Sequence, residues 1–344
     1  MRSIFLSTLW VLSAACLTQA RPLEIHFIDV EGGQATLVVA PSGESLLIDT
    51  GWPGFEGRDA TRIVAAARAA GLKRLDYVLV THYHMDHVGG VPQLAEKIPV
   101  GTFIDHGPSV ESDERAEALL AAYRPIAAKA RHLVVRPGDR IPVAGIEVEV
   151  LAAAGHTLSP PLPGAGGPNP LCTEAPPKEE DKSENAQSVG ILLTYGKFRM
   201  IDLGDLTWNK ELELACPANR LGRVDLYLST HHASSLSGPG AMVRALHPRV
   251  VVMNNGARKG GDASAWQIIH SSPGLEDIWQ LHYAVEAGKK NNASERFVAN
   301  MDEQCLGYAI NLAADADGSF AVTNARNGFS RKYNPREEAS ARTR

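Results

Sequence analysis

Short apolar runs, separated by glycine, proline and polar residues, recur along the chain and have the length and β-branched content of strands. Apolar residues at helical spacing, such as Ala60, Ile63, Val64 and Ala67, alternate with these runs and predict helices. The pattern predicts strands at residues 24–30, 34–40, 45–49, 75–80, 101–105, 146–152, 188–195, 198–203, 224–229 and 249–253. It predicts helices at 59–70, 94–98, 111–131 (kinked or broken at Pro125), 208–215 and 239–246. Strand pairs with crossover helices occur twice, which favours an α/β fold of four layers, an αββα sandwich with two similar halves.

Three regions depart from this pattern. Residues 155–187 have seven prolines between Pro160 and Pro177 and no periodicity, which predicts a long irregular loop that either covers the site or is a disordered insertion. Residues 262–270 predict a helix, and residues 276–283, 306–312 and 320–324 predict strands of an added sheet. Residues 326–344 are polar and are predicted to be a disordered tail, so the folded domain is expected at 21–325.

The strongest candidate for chemistry follows the strand predicted at 75–80. It contains His82, His84, Asp86 and His87, and Gly89-Gly90 then predicts a turn into a helix. Imidazole and carboxylate groups are ligands for zinc and similar divalent metals, and ligands collect at the carboxyl edge of an α/β sheet. His82 and His84 point the same way in extended backbone, so they can bind one ion, while Asp86 and His87 bind a neighbouring ion. We therefore expect two divalent ions.

Two other polar segments also follow predicted strands. His106 follows residues 101–105 and either orients a ligand or contacts substrate, or is a surface residue in a turn. Residues 254–261 contain Arg258 and Lys259 between glycines, which predicts either a loop that binds an anion or, with slightly more weight, a solvated turn.

Composition and the N-terminus indicate the compartment. The chain has 344 residues and a net charge of -5, so no overall basic field attracts nucleic acid. Arg2, the apolar residues 4–17 and Thr18-Gln19-Ala20 predict a signal peptide at 1–20, and hence a secreted or periplasmic protein. Lipidation at Cys16 is less favoured, and no later segment is apolar enough to span a membrane. After cleavage, Cys172, Cys216 and Cys305 permit one disulfide, with Cys172–Cys216 as one possible pair.

The motif His-x-His-x-Asp-His at 82–87 resembles the signature of the metallo-β-lactamase-fold hydrolases. The segments at 29–35, 46–51, 203–205 and 230–234 follow the order of that superfamily's motifs. Their residue sequences look most like those of the soluble hydrolase domain of ComEC-type DNA-uptake proteins. The resemblance covers about residues 24–255 in patches, and it implies the αββα sandwich. It also implies that Asp49 accepts a hydrogen bond from a ligand histidine and fixes its tautomer.

The same resemblance implies the second half of the site. Asp205 corresponds to the aspartate that bridges two metals, and His231 or His232 completes the second ion. Since neighbouring strand residues face opposite ways, we expect only one of this pair to bind metal, with a slight preference for His232. His156, in Gly-His-Thr after the strand at 146–152, is an equally balanced candidate for the first ion, because many relatives carry it and the ComEC-like branch often lacks it.

These features predict a secreted hydrolase in which a metal-activated hydroxide attacks a phosphorus or carbonyl centre. Asp86 and Asp205 are the predicted catalytic carboxylates, and zinc, manganese and iron all fit the ligands. The resemblance suggests a phosphodiester or another ester, small or oligomeric, as substrate. Lactam, lactone or thioester hydrolysis, and a metal-binding module without catalysis, are the alternatives.

Overall fold

The computed structural model describes residues 21–174 and 179–337. The predicted signal peptide and the last residues of the predicted tail lie outside them. The first half contains strands β1 (Leu23–Phe27), β2 (Thr36–Val39), β3 (Ser45–Ile48), β4 (Leu75–Leu79), β5 (Val100–Asp105) and β6 (Arg131–Val134). Its helices are α1 (Arg58–Ala69), α2 (Met85–Val88), α3 (Val91–Ala95) and α4 (Glu114–Ala127).

The second half begins with β7 (Arg140–Ile141), β8 (Glu147–Ala153), β9 (His156–Thr157), β10 (Gly190–Tyr195), β11 (Phe198–Asp202), β12 (Leu226–Leu228) and β13 (Val250–Met253). It continues with β14 (Asp277–His282), β15 (Val298–Asn300), β16 (Ile310–Ala314), β17 (Phe320–Asn324) and β18 (Ser330–Tyr333). Its helices are α5 (Trp208–Ala215), α6 (Gly240–Leu246) and α7 (Ala263–His270). Between residues 21 and 337, leaving out 175–178, no helix is long and apolar enough to cross a membrane.

Two mixed sheets form the middle layers. Over the described residues, one sheet has the order β18-β17-β16-β1-β2-β3-β4-β5-β6 and the other β15-β14-β13-β12-β11-β10-β8-β7, with β9 paired to β8. Strand β13 shows how the layers are held, because its side chains alternate between faces. Val250 and Val252 pack in the core between the sheets, whereas Val251 and Met253 pack against the outer helices. Helices α1 and α4 cover the other sheet, which gives the predicted αββα sandwich.

The C-terminal strands correct two predictions. No added sheet forms from the strands described here: β14 joins the second sheet, and β16 pairs antiparallel with β1 in the first. This pairing covers a strand edge that would otherwise expose backbone donors and acceptors. The tail is not disordered throughout, because β18 pairs with β17 and its Tyr333 is buried against Phe320.

Helix α4 and the proline-rich segment also differ from expectation. The helix begins after its N-cap Asp113 and stays continuous through Pro125, ending two residues later at Ala127. In the irregular segment, Leu158 and Leu162 are buried against the helical layer of the second sheet, and Cys172 forms a disulfide with Cys216. The described part of this segment is therefore packed onto the domain rather than a disordered insertion.

Candidate metal centre

Four buried side chains from strand ends of both sheets meet at one edge of the sandwich. Their potential ligand atoms, from Asp86, His87, Asp205 and His232, all lie within 4.8 Å of one another. The nitrogen Nε2 of His87 is 3.3 Å from one oxygen of Asp86 and 3.3 Å from one oxygen of Asp205. His232 Nε2 is 3.3 Å from Asp86 Oδ2 and from Asp205 Oδ1. We call these four residues the strand-end cluster.

The other two motif histidines adjoin this cluster. The His82 ring is fully buried, with its centroid 4.1 Å from that of His87 and 4.7 Å from that of His84. His84 is partly exposed, and its Nε2 stands 3.3 Å from Glu111 Oε1. The structure therefore brings His82 beside the cluster, while His84 forms its outer rim.

A left-handed turn brings both His231 and His232 to Asp205. Residues His231, His232 and Ala233 have φ values of 55°, 57° and 59°, a conformation that costs about 1–2 kcal/mol per non-glycine residue. As a result His231 Nε2 also lies 3.3 Å from Asp205 Oδ2. The expectation that the two rings face opposite ways is wrong, because it assumed a strand at a position where the chain turns. Gly260 supports this turn, since a Cβ there would stand 2.2 Å from the carbonyl oxygen of His232.

Asp49 orients a histidine of the cluster. It lies at the end of β3 with a left-handed φ of 60°. Its Oδ2 accepts a hydrogen bond from His87 Nδ1 at 2.7 Å, and the Thr81 hydroxyl donates to the same carboxylate. This contact fixes a proton on Nδ1 of His87 and directs Nε2 toward the two aspartates. It is the contact that the resemblance implied for Asp49.

The charges and free atoms of the centre suit a divalent cation. Burial, together with the nearby His87, lowers the pKa of His82 well below its ordinary value, so this ring is neutral. Burial alone would raise the pKa of Asp86 and Asp205, but neighbouring histidines, and Lys259 in the case of Asp86, lower both well below the usual range. Buried Nε2 atoms of His82, His87 and His232 lack a hydrogen-bond partner among the residues described. Such atoms next to charged carboxylates fit a metal ion.

One cation of the glycine-rich segment faces this centre. Lys259 Nζ contacts Asp86 Oδ2, donates to the Gly32 carbonyl at 2.8 Å and lies 5.1 Å from the centre of the Trp52 ring. Arg258 instead pairs with Glu303 at the surface. The segment is therefore not simply a solvated turn, and the two cations between glycines in the sequence were the signal for this role.

Two candidates whose roles the sequence left open have other surroundings in the structure. His156 is exposed on β9, because Ala154 and Gly155 turn the chain back along β8 with φ values of 50° and 73°. His106 is buried, but its Nε2 contacts Glu184 Oε1 at 2.8 Å rather than a candidate ligand or an open pocket.

Glu184 is a residue that the sequence did not single out. Its carboxylate also accepts hydrogen bonds from the backbone amides of Tyr83 and Val110 and from the Ser109 hydroxyl. Burial would raise its pKa, but these bonds and His106 outweigh burial and lower it. Glu184 thus joins the end of the proline-rich segment to the loop that carries His82 and His84. Nothing in its local sequence indicates this long-range role.

A pocket of about 340 Å³ opens beside the centre. Its lining includes the buried Tyr83 and Asp86, the half-buried Trp52, His84 and Glu111, and the exposed Asp113 and Arg115. The pocket is thus aromatic near the cluster and carries charges of both signs at its mouth. Its position beside His84 and Asp86 lets a bound molecule reach the centre.

Known proteins resemble parts of this chain. Residues 28–168 match the family model described as the Metallo-beta-lactamase superfamily. A hydroxyacylglutathione hydrolase from Klebsiella pneumoniae is 35% identical over 81 residues, which are 24% of this chain and 26% of that protein. A protein of the same name from Rhodopseudomonas palustris is 35% identical over 104 residues, which are 30% of this chain and 34% of that protein. The chain thus spans about a third or less of these curated relatives.

Solved structures also overlap with it. The metallo-beta-lactamase fold protein YhfI from Bacillus subtilis has a TM-score of 0.45 and 11% identity, covering 75% of this chain and 95% of that one. A metallo-beta-lactamase mutant from Cronobacter sakazakii has a TM-score of 0.38 and 14% identity, covering 59% and 75%. The family-model match contains the whole motif at 82–87, and the fold is the sandwich expected of that family. Residues 28–168 are therefore similar to the metallo-beta-lactamase superfamily, and the arrangement of the described strands and helices is consistent with the fold of that family.

Proposed function

We propose that this protein is a metal-dependent hydrolase that uses two divalent ions, with zinc as the first choice and manganese or iron as alternatives. The observation that carries the proposal is the strand-end cluster, in which buried histidine nitrogens without hydrogen-bond partners among the described residues face two charged aspartates. Asp86, His87, Asp205 and His232 would hold one ion. His82 and His84 would hold the other ion and share Asp205 with the first. His231 lies close enough to Asp205 to influence its carboxylate.

The protein's own residues prepare this chemistry. Asp49 holds His87 with Nε2 facing the aspartates, and burial keeps His82 neutral and ready to ligate. A divalent ion held by these residues would lower the pKa of bound water toward about 7 and so make hydroxide available at neutral pH. Lys259 presents an ammonium group at the edge of the cluster, where it can contact a negatively charged substrate oxygen.

The preferred substrate class is a phosphodiester or another ester. Lys259 beside Asp86 and Arg115 at the pocket mouth suit an anionic group, and Trp52 offers an aromatic surface for a ring. The resemblance to the hydrolase domain of ComEC-type proteins favours phosphodiesters over carboxylic esters. The net charge of -5 argues against strong binding of long nucleic acid, so small or short oligomeric substrates fit better.

A thioester is the second candidate substrate. It is supported by the 35% local identity to proteins named hydroxyacylglutathione hydrolase, within a segment of 81 to 104 residues. Glutathione conjugates are also anionic, so the same cationic groups would serve them. Lactones and lactams are further substrates that the same centre can attack.

A substrate panel with metal-loaded protein tests the proposal. We expect hydrolysis of a bis-aryl phosphate to exceed that of an aryl ester, an acyl-glutathione thioester, a lactone and a β-lactam. Asp205→Asn should abolish turnover, whereas Asp302→Asn, which changes an exposed carboxyl, should not. Dominant thioester turnover would transfer the assignment to the second candidate. Metal bound at the strand-end cluster without turnover of any substrate would favour the non-catalytic module.

We also propose that the protein works in the periplasm or outside the cell. The signal-like residues 1–20 support this location, and so does the Cys172–Cys216 disulfide, since disulfides persist in oxidising compartments. Fractionation of cells that express the full chain, with N-terminal sequencing of the product, tests it. Cytoplasmic protein that keeps Met1 would contradict it.

A further inference from the structure

A second group of metal-ligating side chains lies apart from the strand-end cluster. Asp29 and Glu31 come from the loop after β1, His282 from the end of β14, and Cys305 from the segment between β15 and β16. One potential ligand atom from each lies within 4.8 Å of all the others. We propose that these four residues form a structural zinc site, separate from the proposed hydrolytic centre.

The distances suit a small tetrahedral ion. His282 Nε2 is 2.8 Å from Asp29 Oδ1, 3.5 Å from Glu31 Oε2 and 4.0 Å from Cys305 Sγ. Cys305 Sγ is 3.3 Å from Asp29 Oδ2 and 3.4 Å from Glu31 Oε1, the other oxygen of each carboxylate, and one atom from each of the four residues still lies within 4.8 Å of the rest. Ligand atoms around tetrahedral zinc stand about 3.3–3.7 Å apart, as bond lengths of about 2.0–2.3 Å require. Small side-chain shifts would therefore bring the four atoms onto one ion.

The charges also balance. Arg62 donates to Asp29 Oδ2 and Glu31 Oε1, which leaves Asp29 Oδ1 and Glu31 Oε2 on the side of His282. Two carboxylates and a metal-bound thiolate would carry three negative charges, which match one guanidinium and one divalent ion. A neutral buried site of this kind avoids the cost of an uncompensated charge.

The types of donor and their burial favour a metal ion. A mixture of thiolate, imidazole and carboxylate is typical of zinc ligands. Asp29 and His282 are fully buried, while Glu31 is partly exposed and gives an ion access from solvent. Gly307 permits this packing, since a Cβ there would stand 2.2 Å from Arg62 Nε.

An ion at this position would fasten the loop after β1. That loop continues to Gly32, whose carbonyl accepts from Lys259, and to Gln34, which donates to the Asp86 carbonyl and to Asp202. The proposed site would thus hold the C-terminal segment and the base of the hydrolytic centre together. Its effect would be on stability rather than on the reaction itself.

Cobalt titration of the full chain tests the inference, because a thiolate ligand gives a charge-transfer band in the near ultraviolet. In a Cys16→Ser background, Cys305 is the one cysteine outside the disulfide, so the band reports on this site. With cobalt in excess of all proposed sites, we expect a band that corresponds to one cobalt per chain, and its loss in Cys305→Ser together with one equivalent of bound zinc. Asp205→Asn should keep the band even if hydrolysis is lost, so the two proposals fail separately.

Two further variants keep the test decisive if Cys305→Ser folds poorly. Glu31→Gln should weaken cobalt binding at this site by about tenfold or more, as removal of a charged ligand predicts. His282→Gln should do the same, whereas His270→Gln, which changes an exposed histidine, should not. Absence of the band in the parent protein, or a band unchanged in Cys305→Ser, would overturn the site.

Discussion

The strand-end cluster and the Asp29–Cys305 group use similar donors but differ in their cations. Asp86 and Asp205 face histidines, and Lys259 touches only the edge of that cluster. Asp29 and Glu31 instead share Arg62 on one side. The first arrangement leaves buried nitrogens without hydrogen bonds among the described residues, and it adjoins a pocket. The second is nearly satisfied without metal. The difference separates the proposed hydrolytic centre, which would need an ion to react, from the proposed structural site, which would use an ion to hold segments together.

The largest expected effect is at Asp205, which both ions of the proposed hydrolytic centre would share. Asp205→Asn should lower kcat/KM by about 1,000-fold or more, equivalent to about 4 kcal/mol, because the shared carboxylate is lost. Metal content by mass spectrometry and steady-state rates measure it. Near-normal metal and rates would show that the two clusters do not differ as described.

The second-largest effect is expected at Arg62, the cation of the Asp29–Cys305 group. Arg62→Gln should lower the free energy of unfolding by about 3 kcal/mol without metal, since Asp29 and Glu31 lose their buried partner. Urea unfolding in the presence of a chelator measures this change. Lys259→Gln is the matched variant at the first cluster and should cost less, because Lys259 is more exposed.

Substitution of Asp49 tests how strongly metal binding at the strand-end cluster depends on the orientation of His87. Asp49→Asn keeps the shape and suits the left-handed φ of 60°, but the amide accepts more weakly from His87. Metal affinity or activity should fall about 10–100-fold, with little change in unfolding free energy. A large stability loss would instead indicate a mainly structural role.

Substitution of Glu184 tests how the loop that carries His82 and His84 is held in place. The pKa of Glu184 is lowered in the folded protein, so its contribution to stability is present above the unfolded pKa near 4.5 and is lost as pH falls through the folded pKa. Glu184→Gln should cost about 1–2 kcal/mol at pH 7. Stability of the variant should also depend less on pH below about 4.5 than that of the parent. Denaturant unfolding from pH 3 to 7 measures both changes; parallel profiles would contradict the assignment.

The smallest effect is expected at His156. Because its side chain is exposed on β9, His156→Ala should leave metal content and hydrolysis unchanged, in contrast to Asp205→Ala. Equal metal loss in the two variants would make His156 a full ligand and would require the β8–β9 turn to rearrange.

Local sequence was sufficient for much of the fold. Apolar periodicity predicted α5 at its observed bounds and the hairpin of β10 and β11 within two residues, because their signals lie within one element. Strand pairing was less accessible: β16 lies beside β1 although about 280 residues separate them. The burial of Leu158 and Leu162 could not be predicted, because the irregular segment has no hydrophobic periodicity that would indicate which side chains face the core.

The motif at 82–87 by itself determined the type of donors and the strand end on which they lie, since ligand chemistry and side-chain alternation are local properties. Only the tertiary structure decided which side chains meet. The left-handed turn brought both His231 and His232 to Asp205. The turn after β8 left His156 exposed on β9, and His106 contacts Glu184. Asp29 and Cys305 came together across 276 positions. Such contacts depend on how the two sheets pack, and no short stretch of sequence encodes that packing.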